Sequence, residues 1–140
     1  MKTSKIILGG LAGSVTFFFL GWLVYGILLH NFMLSNYNNC TMRPMEDMVW
    51  PAIIVSNLFT GFLLALAISR TGIKTTLQGL LMTAALGFLI TSAMDFSMYS
   101  MSTAFLNAKA LMLDIIVGTL MYGIVGFIES LIMVPGKKKS

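Results

Sequence analysis

The sequence IILGGLAGSVTFFFLGWLVYGILL at residues 6–29 decides the fold, because it contains no charged side chain. A helix of roughly 20 mostly apolar residues crosses about 30 Å of hydrocarbon, so this stretch is long enough to span a membrane. It is longer than the roughly 7–15 apolar residues of a signal peptide, and the polar residues that follow it offer no cleavage site of small residues. We therefore expect a span that is retained.

Three further stretches have the same character, at residues 49–69, 76–94 and 110–134. The strands of a membrane β-barrel would be about ten residues long and would alternate in polarity. These runs are continuous and about twice that length. The sequence therefore predicts an all-α integral membrane four-helix bundle, with residues 1–140 forming a single transmembrane domain.

The composition agrees with a chain surrounded by lipid. Apolar residues make up 57% of the sequence and charged residues only 10%, against about 25% in soluble domains. The net charge of +4 is spread thinly, without a basic stripe that would bind nucleic acid. These numbers exclude an ordinary soluble enzyme, a disordered segment and a nucleic-acid-binding domain, and they make the lipid bilayer the expected partner.

The basic residues predict the orientation of the spans, since cytoplasmic loops are enriched in Lys and Arg. With the N-terminus inside, seven of the nine basic residues are cytoplasmic and only Arg43 and Lys109 are outside. The seven are Lys2, Lys5, Arg70, Lys74, Lys137, Lys138 and Lys139. We therefore expect both termini in the cytoplasm (N-in/C-in), a tight inner turn after Arg70, and two longer outer segments at residues 30–48 and 95–109.

Small and polar residues recur every fourth position in three of the spans. The lines are Gly9, Gly13 and Gly21 in the first span; Gly79, Thr83, Gly87, Thr91 and Asp95 in the third; and Asp114, Gly118, Tyr122, Gly126 and Ser130 in the fourth. Helices in lipid associate through such residues, because these let the backbones approach closely. Packing within one bundle is the main interpretation, with a homo-oligomer interface and a solute path as alternatives.

Four polar residues within or at the ends of the spans are candidates for function, because polar groups in the bilayer are costly. They are Asn57, Asp95, Asp114 and Glu129. Asn57 is expected to form an interhelical hydrogen bond or to contact a solute. Asp95 and Asp114 are expected near His30 at the outer surface, either in ion pairs with Arg43 and Lys109 or as a cluster that binds a proton or a metal. Tyr25 is expected with Trp22 and Trp50 in an aromatic ring at the interface, and Glu129 within reach of the lysines at 137–139.

The methionines form a further pattern. Met42, Met45 and Met48 are three residues apart, and Met94, Met98 and Met101 share one helical face. Thioethers prefer soft ions such as Cu(I), and His30 and Cys40 are expected on the same side of the membrane. The more ordinary interpretation is flexible apolar filling, so copper binding is an alternative hypothesis.

No known catalytic or cofactor motif is present. The sequence lacks a glycine-rich phosphate loop, His-Glu-x-x-His, Cys-x-x-Cys and Gly-x-Ser-x-Gly. We therefore expect no enzyme and no cofactor, but a non-enzymatic structural or accessory membrane component that self-associates or joins a membrane complex. The alternatives are a small transporter or channel that uses the polar residues in the spans, and an outward-facing binder of a soft metal.

Residues 19–26, FLGWLVYG, resemble the Gly-x-x-Trp-Tyr-type signature of a family of small four-span bacterial membrane proteins known as a domain of unknown function. Gly79 and Gly87, the stretch 105–109, and Leu113-Asp114 followed by glycines are also similar to that family. The resemblance implies a four-helix bundle in the bacterial cytoplasmic (inner) membrane. It implies no activity.

Overall fold

The computed structural model describes residues 2–134, which form five α-helices and no β-strand. The helices are α1 (Thr3–Leu23), α2 (His30–Asn36), α3 (Trp50–Thr71), α4 (Thr76–Met101) and α5 (Ala108–Met133). One turn of π-helix, Val24–Leu28, continues α1, and a 3₁₀ turn, Met45–Asp47, precedes α3. α1 with its π-helical turn, α3, α4 and α5 are long and apolar enough to cross a membrane. The prediction of an all-helical fold with four such helices is confirmed.

α4 continues past the predicted end of the third span at residue 94, to Met101. Asp95 therefore belongs to this helix and not to the connection that follows it. Its side chain is only 8% exposed and lies inside the bundle, next to Asp114 of α5. The outer connection predicted at residues 95–109 is therefore reduced to residues 102–107, and the one predicted at 30–48 contains the short helix α2.

Local chemistry explains where the long helices begin and end. The Thr75 hydroxyl accepts a hydrogen bond from the Gln78 backbone N–H at 3.2 Å, and the Asn107 side chain accepts one from Ala110 N–H at 2.9 Å. Such N-caps satisfy donors that the first turn of a helix leaves free. α3 has a proline in its first turn. It is followed by Gly72, whose φ of 64° is a left-handed conformation that favours glycine.

The four long helices form two pairs, α4 with α5 and α1 with α3, which meet where α1 contacts α5. α5 is the most enclosed, with 39% of its most apolar stretch buried against 17–22% in the other three. The outward faces are apolar, for example at Phe59, which is 74% exposed. Because water would solvate such faces poorly, they indicate contact with lipid.

The small-residue lines of α4 and α5 contact each other in antiparallel register. Gly79 lies against Ser130, Thr83 against Gly126, Gly87 against Tyr122, and Thr91 against Gly118. A glycine therefore stands opposite a larger side chain at each level, and the glycine alternates between the two helices. A Cβ added at Gly118 would lie 2.6 Å from Thr91 Oγ1, which is too close for the present helix separation.

The glycines of α1 have two different environments. Gly9 and Gly13 lie against Met133 and Glu129 of α5, so they permit the contact between α1 and α5. A Cβ added at Gly21 would have no heavy atom within 4 Å beyond its own helix backbone and chain neighbours. Gly21 therefore does not serve the helix packing that its place in the line predicted.

The connections at residues 29–49 and 102–107 meet at one end of the bundle, which we call the loop end. Asn38 N–H donates to Ala104 O at 2.9 Å, and Leu106 N–H donates to Asn36 O at 3.0 Å. Between these bonds, Tyr37 and Phe105 form an antiparallel bridge, and their ring centroids are 5.1 Å apart. The turn at residues 72–75 lies at the opposite end, which we call the turn end.

Candidate functional site

A cluster of two tyrosines and two carboxyls lies inside the bundle at the loop end. Asp114 Oδ1 accepts hydrogen bonds from the hydroxyls of Tyr25 at 2.7 Å and Tyr37 at 3.0 Å. Asp114 is on α5, Tyr25 on the π-helical turn and Tyr37 just after α2, so the cluster joins three segments. Tyr25, which the sequence predicts in an interfacial aromatic ring, has a partner for its hydroxyl inside the protein.

Asp95 completes this cluster, because it lines the same cavity as Asp114, Tyr25 and Tyr37. Asp95 Oδ2 is buried and has no hydrogen-bond partner within residues 2–134. Two carboxylates brought close together repel each other, so this arrangement favours a proton on one of the two groups.

Tyr37 also shows the electrostatic character of the cluster. Burial, together with the nearby Asp114 carboxyl, raises the pKa of Tyr37 above its ordinary value of 10. Its hydroxyl therefore stays protonated and donates to Asp114 at physiological pH. The bridge to Phe105 holds the ring in place, so the connection between α4 and α5 positions a donor for the site.

The structure does not bring His30 to the two aspartates. His30 is exposed and lines a different cavity from Asp95 and Asp114. Within the described part of the chain, no three His, Cys, Asp or Glu side chains come close enough to hold a metal ion. The predicted His–Asp–Asp metal cluster is therefore not formed there. Lys109 is not drawn to the aspartates either, and its ammonium lies 5.8 Å from the centroid of the Phe32 ring.

Two cavities open at the loop end. The smaller, of about 400 Å³, is lined by Tyr25, Tyr37, Asp95 and Asp114 among others. The larger, of about 600 Å³, lies between α1, α2, α3 and the segment before α3. Tyr25 and Tyr37 line both, so the tyrosines that bind Asp114 lie where the two cavities adjoin.

Asn57 faces the larger cavity from α3, and its amide donates to Ile53 O of the same helix at 2.8 Å. The amide group therefore bonds within α3, and not to another helix as expected. Asn57 lines the larger cavity and the two aspartates line the smaller one. The transport hypothesis stays a prediction.

The six candidate methionines do not converge on one site. Met42, Met45 and Met48 line the larger cavity together with His30, and Met98 lines the smaller one with Met42. Met94 and Met101 line neither of these cavities and are 64% and 76% exposed. Copper binding stays a prediction, and the structure limits it to the methionines before α3.

Glu129 is the second buried carboxyl site, near the turn end. Its side chain is fully buried in the contact between α5 and Gly13 of α1. Neither carboxyl oxygen has a hydrogen-bond partner within residues 2–134. The lysines at 137–139, which were expected to pair with it, lie outside the described residues. Burial of a carboxylate without a partner is very costly, which favours the neutral acid here.

Comparison with known proteins gives no relative. No protein-family profile matches the chain, and neither a curated protein nor a solved structure does. The class of the protein therefore follows from its own helices, which are those of a multi-pass membrane protein.

Proposed function

We propose that this chain is a non-enzymatic component of a bacterial cytoplasmic membrane, with four spans and both termini in the cytoplasm. The observation that supports this most is the separation of charge between the two ends of the bundle. Arg43 and Lys109 belong to the loop end, whereas Arg70 and Lys74 flank the turn end, where Lys2 also lies before α1. Because basic residues favour the cytoplasmic side, this separation supports an orientation with the loop end outside.

Cys40 offers a direct test of this orientation, because it is the single cysteine of the chain and is exposed at the loop end. We expect a membrane-impermeant maleimide to label it in intact cells whose outer barrier has been opened. The matched control is Lys74→Cys in a Cys40→Ser background, which we expect to be labelled only after the membrane is permeabilised. The reverse pattern would overturn the proposed orientation.

The proposed role is structural or accessory, in contact with a second copy of the chain or with another membrane subunit. The apolar outward faces support such contacts, whereas the glycines of α4 and α5 are already used within the chain. Native mass spectrometry of the detergent-extracted protein tests this role. A homo-oligomer or a stoichiometric foreign subunit supports it, and a bare monomer in mild detergent contradicts it.

A small transporter or channel is the second candidate, and the placement of Asp95 and Asp114 in one cavity favours it. Both residues line the smaller cavity, so a proton or a cation would reach them from the loop end. We expect Asp114→Asn to abolish proton flux in proteoliposomes that contain a pH-sensitive dye. The matched control is Asp47→Asn in the exposed segment before α3. Absence of flux with the unchanged protein counts against this candidate.

A further inference from the structure

The larger cavity has the size and shape of a binding site. Its volume of about 600 Å³ falls within the range of about 300–1,000 Å³ that is typical of ligand pockets. On α1 and its π-helical turn the wall extends from Phe17 to Gly26, which is about 14 Å at the rise of a helix, and it continues to His30 at the start of α2. The cavity is therefore long and narrow. Since non-bonded carbon atoms pack about 4 Å apart, it has room for one extended hydrocarbon chain.

Two features of α1 keep this space open. The first is Gly21, where an added side chain would extend into empty space. The second is the π-helical turn, in which Leu29 N–H donates to Val24 O at 2.7 Å and which includes the cavity residues Tyr25 and Gly26. Single π-helical turns within α-helices occur frequently at functional sites. The opening is thus built into the backbone of α1.

The wall is mostly apolar, with a few uncharged polar residues such as Asn57, and it carries one basic residue. Phe17, Trp22 and Met121 are among the apolar residues that line it. Arg43, which is exposed before α3, is the one Lys, Arg, Asp or Glu of the lining. A guanidinium binds a carboxylate through two parallel hydrogen bonds, so this charge complements an anionic headgroup.

We propose that this cavity binds one anionic single-chain amphiphile of the fatty-acid type. Its carboxylate lies at Arg43, and its hydrocarbon chain extends along α1 past Gly21 towards Met121. This inference goes beyond the proposed function and does not depend on which side of the membrane the loop end faces. It also differs from the transport hypothesis, because Asp95 and Asp114 line the smaller cavity and not this one.

The test is the binding of radiolabelled oleate to the full-length protein in nanodiscs of zwitterionic lipid, measured by scintillation proximity. Empty nanodiscs correct for oleate that dissolves in the lipid. We expect saturable binding of one oleate per chain. Binding no greater than that of empty nanodiscs would overturn the proposal. So would a two-chain phospholipid that stays bound in native mass spectra and that oleate does not displace.

Two variants distinguish the part of the cavity that binds the hydrocarbon chain from the part that binds the carboxylate headgroup. Gly21→Leu fills the cavity, and we expect it to weaken oleate binding at least about tenfold, whereas the matched control Ala85→Leu on an exposed face of α4 leaves it unchanged. Arg43→Gln is expected to weaken oleate about tenfold without changing the affinity for oleyl alcohol, and Arg70→Gln at the turn end is its control. Arg43 is exposed, so this variant does not threaten the fold. Oleate binding that survives both substitutions contradicts the proposal.

Discussion

The α4–α5 pair and the C-terminal half of α1 use glycine for opposite purposes. In the α4–α5 pair, each glycine lies against a side chain of the other helix, such as Thr91 opposite Gly118. In α1, Gly21 lies against nothing and forms part of a cavity wall. A small residue therefore indicates a close helix contact in one region and space for a ligand in the other. The spacing of four residues is the same in both.

The largest expected effect comes from filling a glycine within the α4–α5 contact. Gly87 lies against Tyr122 near the Cβ and the root of its ring, which cannot move aside as the tip of a flexible side chain would. We expect Gly87→Leu to lower the free energy of unfolding by about 3 kcal/mol, measured by denaturant unfolding in mixed micelles. The matched variant Gly21→Leu should change it by less than about 0.5 kcal/mol. Equal losses in the two variants would remove the distinction between the regions.

A smaller effect is expected where α1 crosses α3. A Cβ added at Gly61 would lie 2.5 Å from Gly10 O and from Ser14 N, which are backbone atoms. Gly61→Ala should therefore lower the free energy of unfolding by about 2 kcal/mol, because the two helices must separate. The control is Gly26→Ala, whose added Cβ would meet Trp22 at an ordinary 3.5 Å. A neutral Gly61→Ala would show that the helices cross elsewhere.

Removal of one hydrogen-bond donor from the carboxyl cluster should lower the free energy of unfolding less than either glycine substitution does. Tyr37→Phe keeps the ring and its contact with Phe105 but loses the hydrogen bond to Asp114. We expect a decrease of about 1 kcal/mol in the free energy of unfolding, seen as a lower thermal midpoint. Tyr99→Phe, at an exposed tyrosine on α4, should leave the midpoint unchanged. If the two variants behave alike, Tyr37 does not support the cluster.

The smallest effect is expected at the start of α4. Thr75→Ala removes the hydroxyl that accepts the Gln78 N–H and should cost about 0.5 kcal/mol, the lower part of the range for N-caps. Thr75→Ser keeps the hydroxyl and should restore the stability. Both values come from the same unfolding titrations. A larger loss than for Tyr37→Phe would reverse the order expected for the two ends of the bundle.

The sequence predicts the four long helices well, because the length of an apolar run is a local property. It also identifies both lines of small residues in α4 and α5. Their pairing, with Thr91 beside Gly118, depends on the position of one helix relative to the other. Periodicity within a single helix does not carry that information.

The sequence is a poor guide to the ends of the helices and to the cluster at the loop end. α4 continues past Asp95, the first charge after its apolar run, because this side chain lies inside the bundle and lines the same cavity as Asp114. Tyr25 and Tyr37 are missed as partners of Asp114 because they are 89 and 77 residues away in the chain. The one sequence signal for this cluster is that Tyr25, Tyr37 and Asp114 are all expected near the same side of the membrane.

The small-residue lines of α4 and α5 contact each other within one chain, and this claim is tested most directly by cysteine cross-linking. A Cβ at Gly118 would lie 3.2 Å from Thr91 Cβ, close to the roughly 3.5–4.5 Å of a disulfide. In a Cys40→Ser background, we expect Thr91→Cys with Gly118→Cys to form an intramolecular disulfide that blocks both thiols from a maleimide. The pair shifted by one turn, Thr91→Cys with Asp114→Cys, should stay reduced. A disulfide in the shifted pair, or one that joins two chains, would contradict the claim.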